Sequence, residues 1–592
     1  MSAVAGCFWF DRNAAADDLK PSTTCAAHRA GGPFHTWTSG PVALAAAPAP
    51  PVYDPVSQTT TIVDGIIDNL DDIATTLGLS QPLPAVVARE SVGKWGIDAG
   101  AHLLGDFVII VYDERRRQLV AIRDPIGVRP LFYGTGARGV VIGSEAHQVV
   151  RHPAIPRAIN EPMIAEALTD APASLEETLW RQVYRVPAGC ALEIDARGVR
   201  VRRYWDFDPG YEVRHATAAD YADDFRERFG RALACRMPDD ERVGVFLSGG
   251  IDSSSIACLA QATRAARGLP PVHALTATFP GRACDETAFV DAVVDKWQMA
   301  STRVETVVAG RAHLAAECAR YLDLTLPPAR TADALRTRAR ELGITTVLTG
   351  CGGDDYFSGS PLYLTSLLRS GRVLAFARAV SAATLSDGTR ARLRPLFGAR
   401  PPARPWIRDT FARATDLEAR LRPRPLPAFP TREQQDLYRI VRGLSQVLGD
   451  EGEERAAQLS GVSQRHPFYD RRLAEFGLAL PSSQRMAGGA HKIVIRNALG
   501  DVLPAPIARR LDKAEFSTTF IDALDGLGGS SLFTELRSQQ AGWVDGAAVR
   551  RRYDEMMSLY RAGDESYIGL SGPIWTVVAL EIWLEEVEAL NV

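Results

Sequence analysis

The stretch best equipped for chemistry is Phe246-Leu247-Ser248-Gly249-Gly250-Ile251-Asp252-Ser253-Ser254-Ser255. Its residue types suit the holding of phosphate. Glycines let the backbone come close to an anion, serine hydroxyls add donors, and a helix N-terminus aims N–H groups and a dipole at the same point. Leu247, Ser248, Gly249, Gly250, Ser253 and Ser254 are therefore candidate phosphate-loop residues. Asp252 puts a carboxylate into this anion-binding turn, which makes sense when a hard cation such as Mg²⁺ arrives with the phosphates. No G-x-x-x-x-G-K-[ST] run is present, so the loop is not of the Walker type. The competing reading is an ordinary strand–turn–helix corner, and the full run S-G-G-I-D-S-S after an apolar stretch argues against it.

The elements around the loop are read from periodicity. Residues 243–247 form a short apolar run of strand type, and from Ser253 the apolar positions Ile256, Leu259 and Ala260 fall on one helical face. The pattern continues as helix 219–235, strand 243–247, helix 253–266, strand 272–279, helix 285–297 and strand 302–307. Such alternation predicts a doubly wound parallel sheet, with a mainly helical extension after Leu364. Residues 1–210 read differently. Short apolar runs at 4–10, 42–46, 60–63, 107–112, 119–122 and 140–142 predict strands, and only 66–77 and 84–94 suggest helices. The fold class expected is α/β, with a β-rich layered domain over 1–210 and a parallel-sheet domain over 211–592. Residues 385–430 are rich in Arg and Pro and read either as an exposed basic insertion or as a solvated linker.

Composition narrows the function classes. At 592 residues the chain is too long for one core. With 46% hydrophobic and 23% charged residues it is neither disordered nor fibrous, and a net charge of −4 offers no electrostatic case for nucleic acid. Eight cysteines lack C-x-x-C spacing, so neither a zinc ribbon nor a disulfide framework is suggested. The first residues carry no basic stretch ahead of an apolar core, and the longest mildly apolar run, 41–52, is broken by prolines. The expectation is a cytoplasmic protein without a membrane span.

The phosphate loop resembles that of the ATP pyrophosphatases, which make adenylates and release pyrophosphate. The order of pieces across nearly the whole chain is similar to the asparagine synthetase family. Gly105-Asp106-Phe107, the run Arg123–Tyr133 (R-D-P-I-G-V-R-P-L-F-Y), Gly143-Ser144-Glu145 and Tyr204-Trp205 match landmarks of its Ntn-hydrolase-like glutaminase domain. Taken as residues, these are strand and turn positions with no catalytic group. The departure lies at the start. Family members that make ammonia begin Met-Cys-Gly-Ile-Ala-Gly, whereas Met1-Ser2-Ala3-Val4-Ala5-Gly6 puts Ser2 at the nucleophile position, and a hydroxyl is far less nucleophilic than a thiol. Cys7 reads as core, and Asp64-Gly65-Ile66 stands where the family has its glutamine-binding Asn-Gly-Glu. The resemblance therefore implies an inactive glutaminase domain.

The later motifs keep their chemistry. Thr349-Gly350-Cys351-Gly352-Gly353-Asp354-Asp355 is similar to the family's second ATP loop, so Gly350 and Gly352 are expected to bind nucleotide and Asp354 to join Asp252 on Mg²⁺. Asp285-Glu286 resembles an acidic pair of the family and reads equally as a helix N-cap. Arg465-His466-Pro467-Phe468-Tyr469-Asp470 matches R-x-P-F-L-D apart from Tyr469. Lys492, Arg496 and Lys513 follow in a long match, and Lys513 is the cation expected beside the α-phosphate in the transition state. Lys492 and Arg496, four apart on one helical face, either touch substrate or phosphate or pair with acids.

Among family members, those using ammonia carry Glu at the position of Cys351 and β-lactam-forming ones carry Tyr. The pattern most resembles the lasso peptide cyclases, which lack the N-terminal cysteine and join a peptide's N-terminal amine to an Asp or Glu side chain. That resemblance implies ATP and Mg²⁺ as cofactors, and a precursor peptide, a leader peptidase and a leader-recognition protein as partners. Residues 385–430 would help border the peptide site. The alternatives are a small-molecule amide synthetase, asparagine synthesis from ammonia, and a non-catalytic scaffold.

Overall fold

The computed structural model describes residues 2–589 apart from 170–171, 240, 307, 326, 328–330, 361, 364–403, 488, 513 and 515. The first 210 residues build two six-stranded antiparallel sheets. One runs Val183–Arg185, Phe132–Gly136, Gly139–Gly143, Ala3–Trp9, Val42–Ala47, His35–Ser39. The other runs Gly198–Arg203, Cys190–Asp195, Gln118–Arg123, Gly105–Asp113, Thr59–Ile67, Val52–Asp54. The strand Ala3–Trp9 is buried throughout. Val4 and Phe8 pack between the sheets while Ala5, Cys7 and Trp9 face the helical layer, as a period of two requires. Burial pushes the Cys7 thiol up to about 12, which makes it a core residue as expected. The predicted strands are all present. The predicted helix 66–77 is shorter, at Leu70–Leu77, because Ile66 and Ile67 complete the strand Thr59–Ile67. Helices Lys20–Cys25, Ala146–Val150 and Glu161–Ala167 were not anticipated, being too short to show a helical period.

The second domain holds a five-stranded sheet in the order Ala300–Glu305, His273–Thr278, Val243–Phe246, Thr346–Leu348, Ser463–Arg465, with every pairing parallel. The chain winds outward from Val243–Phe246 in one direction, then returns to lay Thr346–Leu348 on its other side. The switch point falls between those two strands, and in open α/β sheets the crevice beyond the carboxyl ends at such a point is where ligands sit. The strand Ser463–Arg465 corrects the reading of everything after Leu364 as helical. Three polar residues at a sheet edge leave no apolar alternation to detect.

One further expectation changes, and one apolar helix needs placing. Residues Glu565–Ala589 form a helix long and apolar enough to cross a membrane by length and composition alone. Its apolar window is 67% buried within the protein, and Trp583 on it packs edge-on against Trp180 of the first domain. A helix apolar on all sides is what a core position selects. Residues 385–403 lie outside the described residues, but 404–421 are no solvated linker. Trp406, Phe411 and Leu417 join the same core, the Trp406 indole donates to the Leu168 carbonyl at 2.9 Å, and Arg420 pairs with Glu166 at 2.6 Å.

The domains are also held by buried charge. Arg236 pairs with Asp68 at 3.1 Å and Asp470 at 2.9 Å, each of the three side chains 1% exposed. Arg185 grips Glu451 through both guanidinium arms at 2.6 and 2.9 Å.

Candidate active site

The first loop leaves the central strand at Leu247, whose side chain is buried and whose N–H bonds the Leu275 carbonyl at 3.0 Å. Leu247 thus anchors the loop from within the core. Ser253 Oγ accepts from the Ser248 N–H at 3.2 Å and lies 3.1 Å from Ser248 Oγ, closing the turn on itself. Gly249 has φ +75°, and a Cβ there would stand 2.8 Å from Phe289 Cβ. The helix spans Ile251–Ala266, two residues earlier than the apolar period indicates. Asp252 therefore sits in its first turn, where the dipole favours a carboxylate. Ser254 is fully buried.

The second loop leaves the neighbouring strand and turns into the short helix Gly353–Phe357. Gly350 and Gly353 are required by close approach. A Cβ on Gly350 would lie 3.2 Å from the Ser253 nitrogen, and one on Gly353 would lie 2.4 Å from Asp252 Cγ. Gly352, at φ +92°, leaves room for the Tyr469 ring. The loops are thus pressed together across the switch point, and Asp252 and Asp354 face a common centre. That centre holds Lys492, whose ammonium pairs with Asp252 and lies 2.6 Å from Asp354 Oδ1. Burial opposes the charge on Lys492, yet the two carboxylates outweigh it and hold its pKa above the ordinary lysine value. Lys492 has φ +59° at the cap of the helix Ile493–Leu499, a strained conformation for a non-glycine residue that aims its side chain at the pair. Of its two sequence readings, pairing with acids is the one observed. A pair of carboxylates already spanned by one positive charge is a donor set that fits Mg²⁺.

Arg496 does something else. Its guanidinium donates to the carbonyls of His491 at 2.7 Å, Ala508 at 2.8 Å and Arg510 at 2.6 Å. It clamps the segment leading to Lys513 and touches neither phosphate loop through these bonds. Lys513 itself lies outside the described residues. Arg510, which sequence reasoning left without a role, bonds Glu286 at 2.5 Å and the Gly249 carbonyl at 3.3 Å, with its guanidinium 3.9 Å above the Phe289 ring. The acidic pair divides its duties. Asp285 accepts the Thr287 N–H at 2.8 Å just ahead of the helix Thr287–Trp297, whose N-cap position is Glu286, and Glu286 faces the cavity. The signal for Arg510 was its place in the I-x-x-R-x-x-K run, three residues before Lys513.

These groups line one cavity of about 470 Å³. Asp252, Glu286, Asp354, Lys492 and Arg510 give it a charged lining, Gly250 adds backbone, and Leu437, Ile440 and Leu511 add apolar surface. None of residues 404–430 lines it. Cys351 is half-buried against the core, and burial pushes its thiol up to about 12, which disfavours the thiolate.

In the first domain Ser2 Oγ donates to Asp64 Oδ1 at 2.5 Å and accepts from Arg129 Nη2 at 2.6 Å. Arg129 also pairs with Asp64 and with Glu454, which reaches in from the helix Leu444–Ser460 of the second domain. Arg29 completes the cluster, 3.2 Å from Glu454. Burial works to raise the Asp64 pKa, but Arg129 and Arg29 outweigh it and hold the carboxyl below its usual range.

Residues 224–585 match the family described as Asparagine synthase, and residues 1–205 match that described as Glutamine amidotransferase domain. "Asparagine synthetase [glutamine-hydrolyzing] 3" of Bacillus subtilis (strain 168) is 23% identical over 517 residues, covering 84% of this chain and 81% of its own length. A "Putative asparagine synthetase [glutamine-hydrolyzing]" of Mycobacterium bovis (strain ATCC BAA-935 / AF2122/97) is 27% identical over 554 residues, covering 83% and 78%. "Amidase chry2" of Gibberella zeae (strain ATCC MYA-4620 / CBS 123657 / FGSC 9075 / NRRL 31084 / PH-1) is 27% identical over 281 residues, covering 45% and 41%. With more than half its length matched by that synthase description, the chain belongs to the asparagine synthase family.

Proposed function

We propose that this chain closes a macrolactam, joining the N-terminal amine of a processed peptide to an Asp or Glu side chain of the same peptide at the expense of ATP. Family membership makes it an ATP-dependent, amide-forming ligase, and the narrower reading concerns where its nitrogen comes from. The observation that carries it is the state of position 2. Ser2 presents a hydroxyl already engaged by Asp64 and Arg129, and by the family resemblance Asp64 stands where a glutamine-binding amide would be. On this reading the glutaminase is inactive and the amine comes with the substrate rather than from glutamine. Holding amine and carboxyl on one molecule makes the second step unimolecular, an advantage of up to about 7–11 kcal/mol.

Bound in the cavity, ATP supplies the leaving groups: a carboxylate displaces pyrophosphate at the α-phosphate, and the amine then displaces AMP from the carbonyl. Ser248, Gly249, Gly250 and Ser253 present the turn and helix N-terminus to the phosphates. Asp252 and Asp354 would hold Mg²⁺. Lys492 holds the place between these carboxylates that Mg²⁺ would take, and Arg510 fixes the first loop against Glu286. Lys513 supplies the cation at the developing negative charge. The precursor peptide, its leader peptidase and a leader-recognition protein are the partners this role requires.

Incubation of the chain with ATP, Mg²⁺ and a leader-free candidate peptide should give a product lighter by one water, with AMP and pyrophosphate. Asparagine formed from aspartate and ammonia, or turnover with a small amino acid and no peptide, would overturn the reading.

A further inference from the structure

We propose that His28, Glu145 and His147 form a zinc site beneath the junction of the two domains. The three side chains offer ligand atoms that lie within 4.8 Å of one another. Glu145 Oε2 is 3.4 Å from His28 Nε2 and 3.3 Å from His147 Nδ1. A tetrahedral ion with bonds of about 2.0–2.1 Å places its ligands about 3.3–3.4 Å apart, so both edges already have the length zinc demands.

The remaining atoms of each side chain are committed in ways that free those three. The Cys25 carbonyl lies 3.2 Å from His28 Nδ1 and 3.3 Å from His147 Nε2. A carbonyl can only accept, so it draws the ring proton to those nitrogens and leaves the lone pairs on His28 Nε2 and His147 Nδ1. This is the outer-shell bond that orients metal-bound histidines. Glu145 Oε1 faces Arg29 at 3.5 Å, which leaves Oε2 for the imidazoles. His28 Nε2, Glu145 Oε2 and His147 Nδ1 are buried, face one another and bond no polar group beyond the cluster. Buried polar atoms that converge on one point without an outside partner carry a desolvation cost that a metal would offset.

The surroundings agree. Tyr321, at the end of the second-domain helix Arg311–Tyr321, sets its ring edge-on to both imidazoles at 5.6 Å. Two nitrogens and one carboxylate oxygen suit zinc better than magnesium. The cations facing the cluster are Arg29 and Arg151, while Glu145, Asp64 and Glu454 supply the opposing charge.

The test is a titration of the chelator-treated full-length chain with cobalt(II) in excess Mg²⁺, followed by zinc. One equivalent of cobalt should bind with the visible absorption of a tetrahedral ion, and one equivalent of zinc should abolish it. His147→Ala should lose that absorption, whereas Asp354→Asn should keep it. Failure of the wild-type chain to bind cobalt, or equal binding by His147→Ala, would overturn the proposal.

Discussion

Replacing Lys492 by methionine tests the centre of the active site. The substitution keeps the length of the side chain and removes the charge that spans Asp252 and Asp354. The Asp252 side chain is 15% exposed and Lys492 is 6% exposed, so this arm is a buried pair. Asp354 is 49% exposed, so water takes up most of its loss. Breaking a buried pair costs about 3–5 kcal/mol and a surface pair about 0–1 kcal/mol. Since one arm belongs to each class, a loss of about 3 kcal/mol in the second domain follows. The informative effect has the opposite sign. In the native chain the ammonium competes with Mg²⁺ for the two carboxylates, and in Lys492→Met it does not. Urea unfolding followed by tryptophan fluorescence, with and without millimolar Mg²⁺, reads both quantities. Mg²⁺ should stabilise the variant more than the parent, at RT ln(1 + [Mg²⁺]/Kd). A variant as stable as the parent, or equally indifferent to Mg²⁺, would refute the view that Lys492 holds the place between the carboxylates.

Gly353→Ala would put a Cβ 2.4 Å from Asp252 Cγ, where ordinary contact begins near 3.4 Å. The carboxylate must move by about 1 Å, and ATP-dependent turnover should fall about 100-fold with the fold intact, as pyrophosphate release and circular dichroism would show. Arg510→Lys loses the planar stack on Phe289 and the second bond of its fork, so ATP should bind about tenfold more weakly in calorimetry. Ser2→Cys should release no glutamate from glutamine, because Asp64 and Arg129 still occupy the site; release at a family-like rate would contradict the account of the first domain. Asp450 is raised to about 7, chiefly by burial, against a hydrogen bond from Tyr469 at 2.8 Å. A carboxyl raised in the folded state withdraws stability as pH climbs from its unfolded value near 4 to about 7. Asp450→Asn should therefore match the parent near pH 4 and gain on it up to pH 7 in thermal melts. An unchanged difference across that range would count against it.

What was legible in the sequence is what local geometry encodes. The S-G-G-I-D-S-S turn announces itself because strand, glycines and helix follow within ten residues. The pairing of Asp252 with Asp354 spans a hundred residues and became expected only through a resemblance; its physical cause is the strand order, which sets the two loops side by side. Lys492 illustrates the limit. Spacing placed it beside Arg496, yet one aims at the carboxylates and the other at three backbone carbonyls, because a left-handed φ at Lys492 swings it off the helix. Ser463–Arg465 went unseen since its strand character comes from the neighbour it pairs with, at Thr346–Leu348. Arg510 lay inside a quoted run without a role, as stacking on Phe289 has no one-dimensional signature.

Glu454 and Glu451 give the first domain a reason to persist. Both acids lie on a helix of the synthetase half, and their counter-charges, Arg29, Arg129, Arg123 and Arg185, all come from the other half. A gene cut between the halves would leave each product with several unpaired ions at a dry surface. Whatever chemistry it carries out, the first domain acts as the counterion of the second.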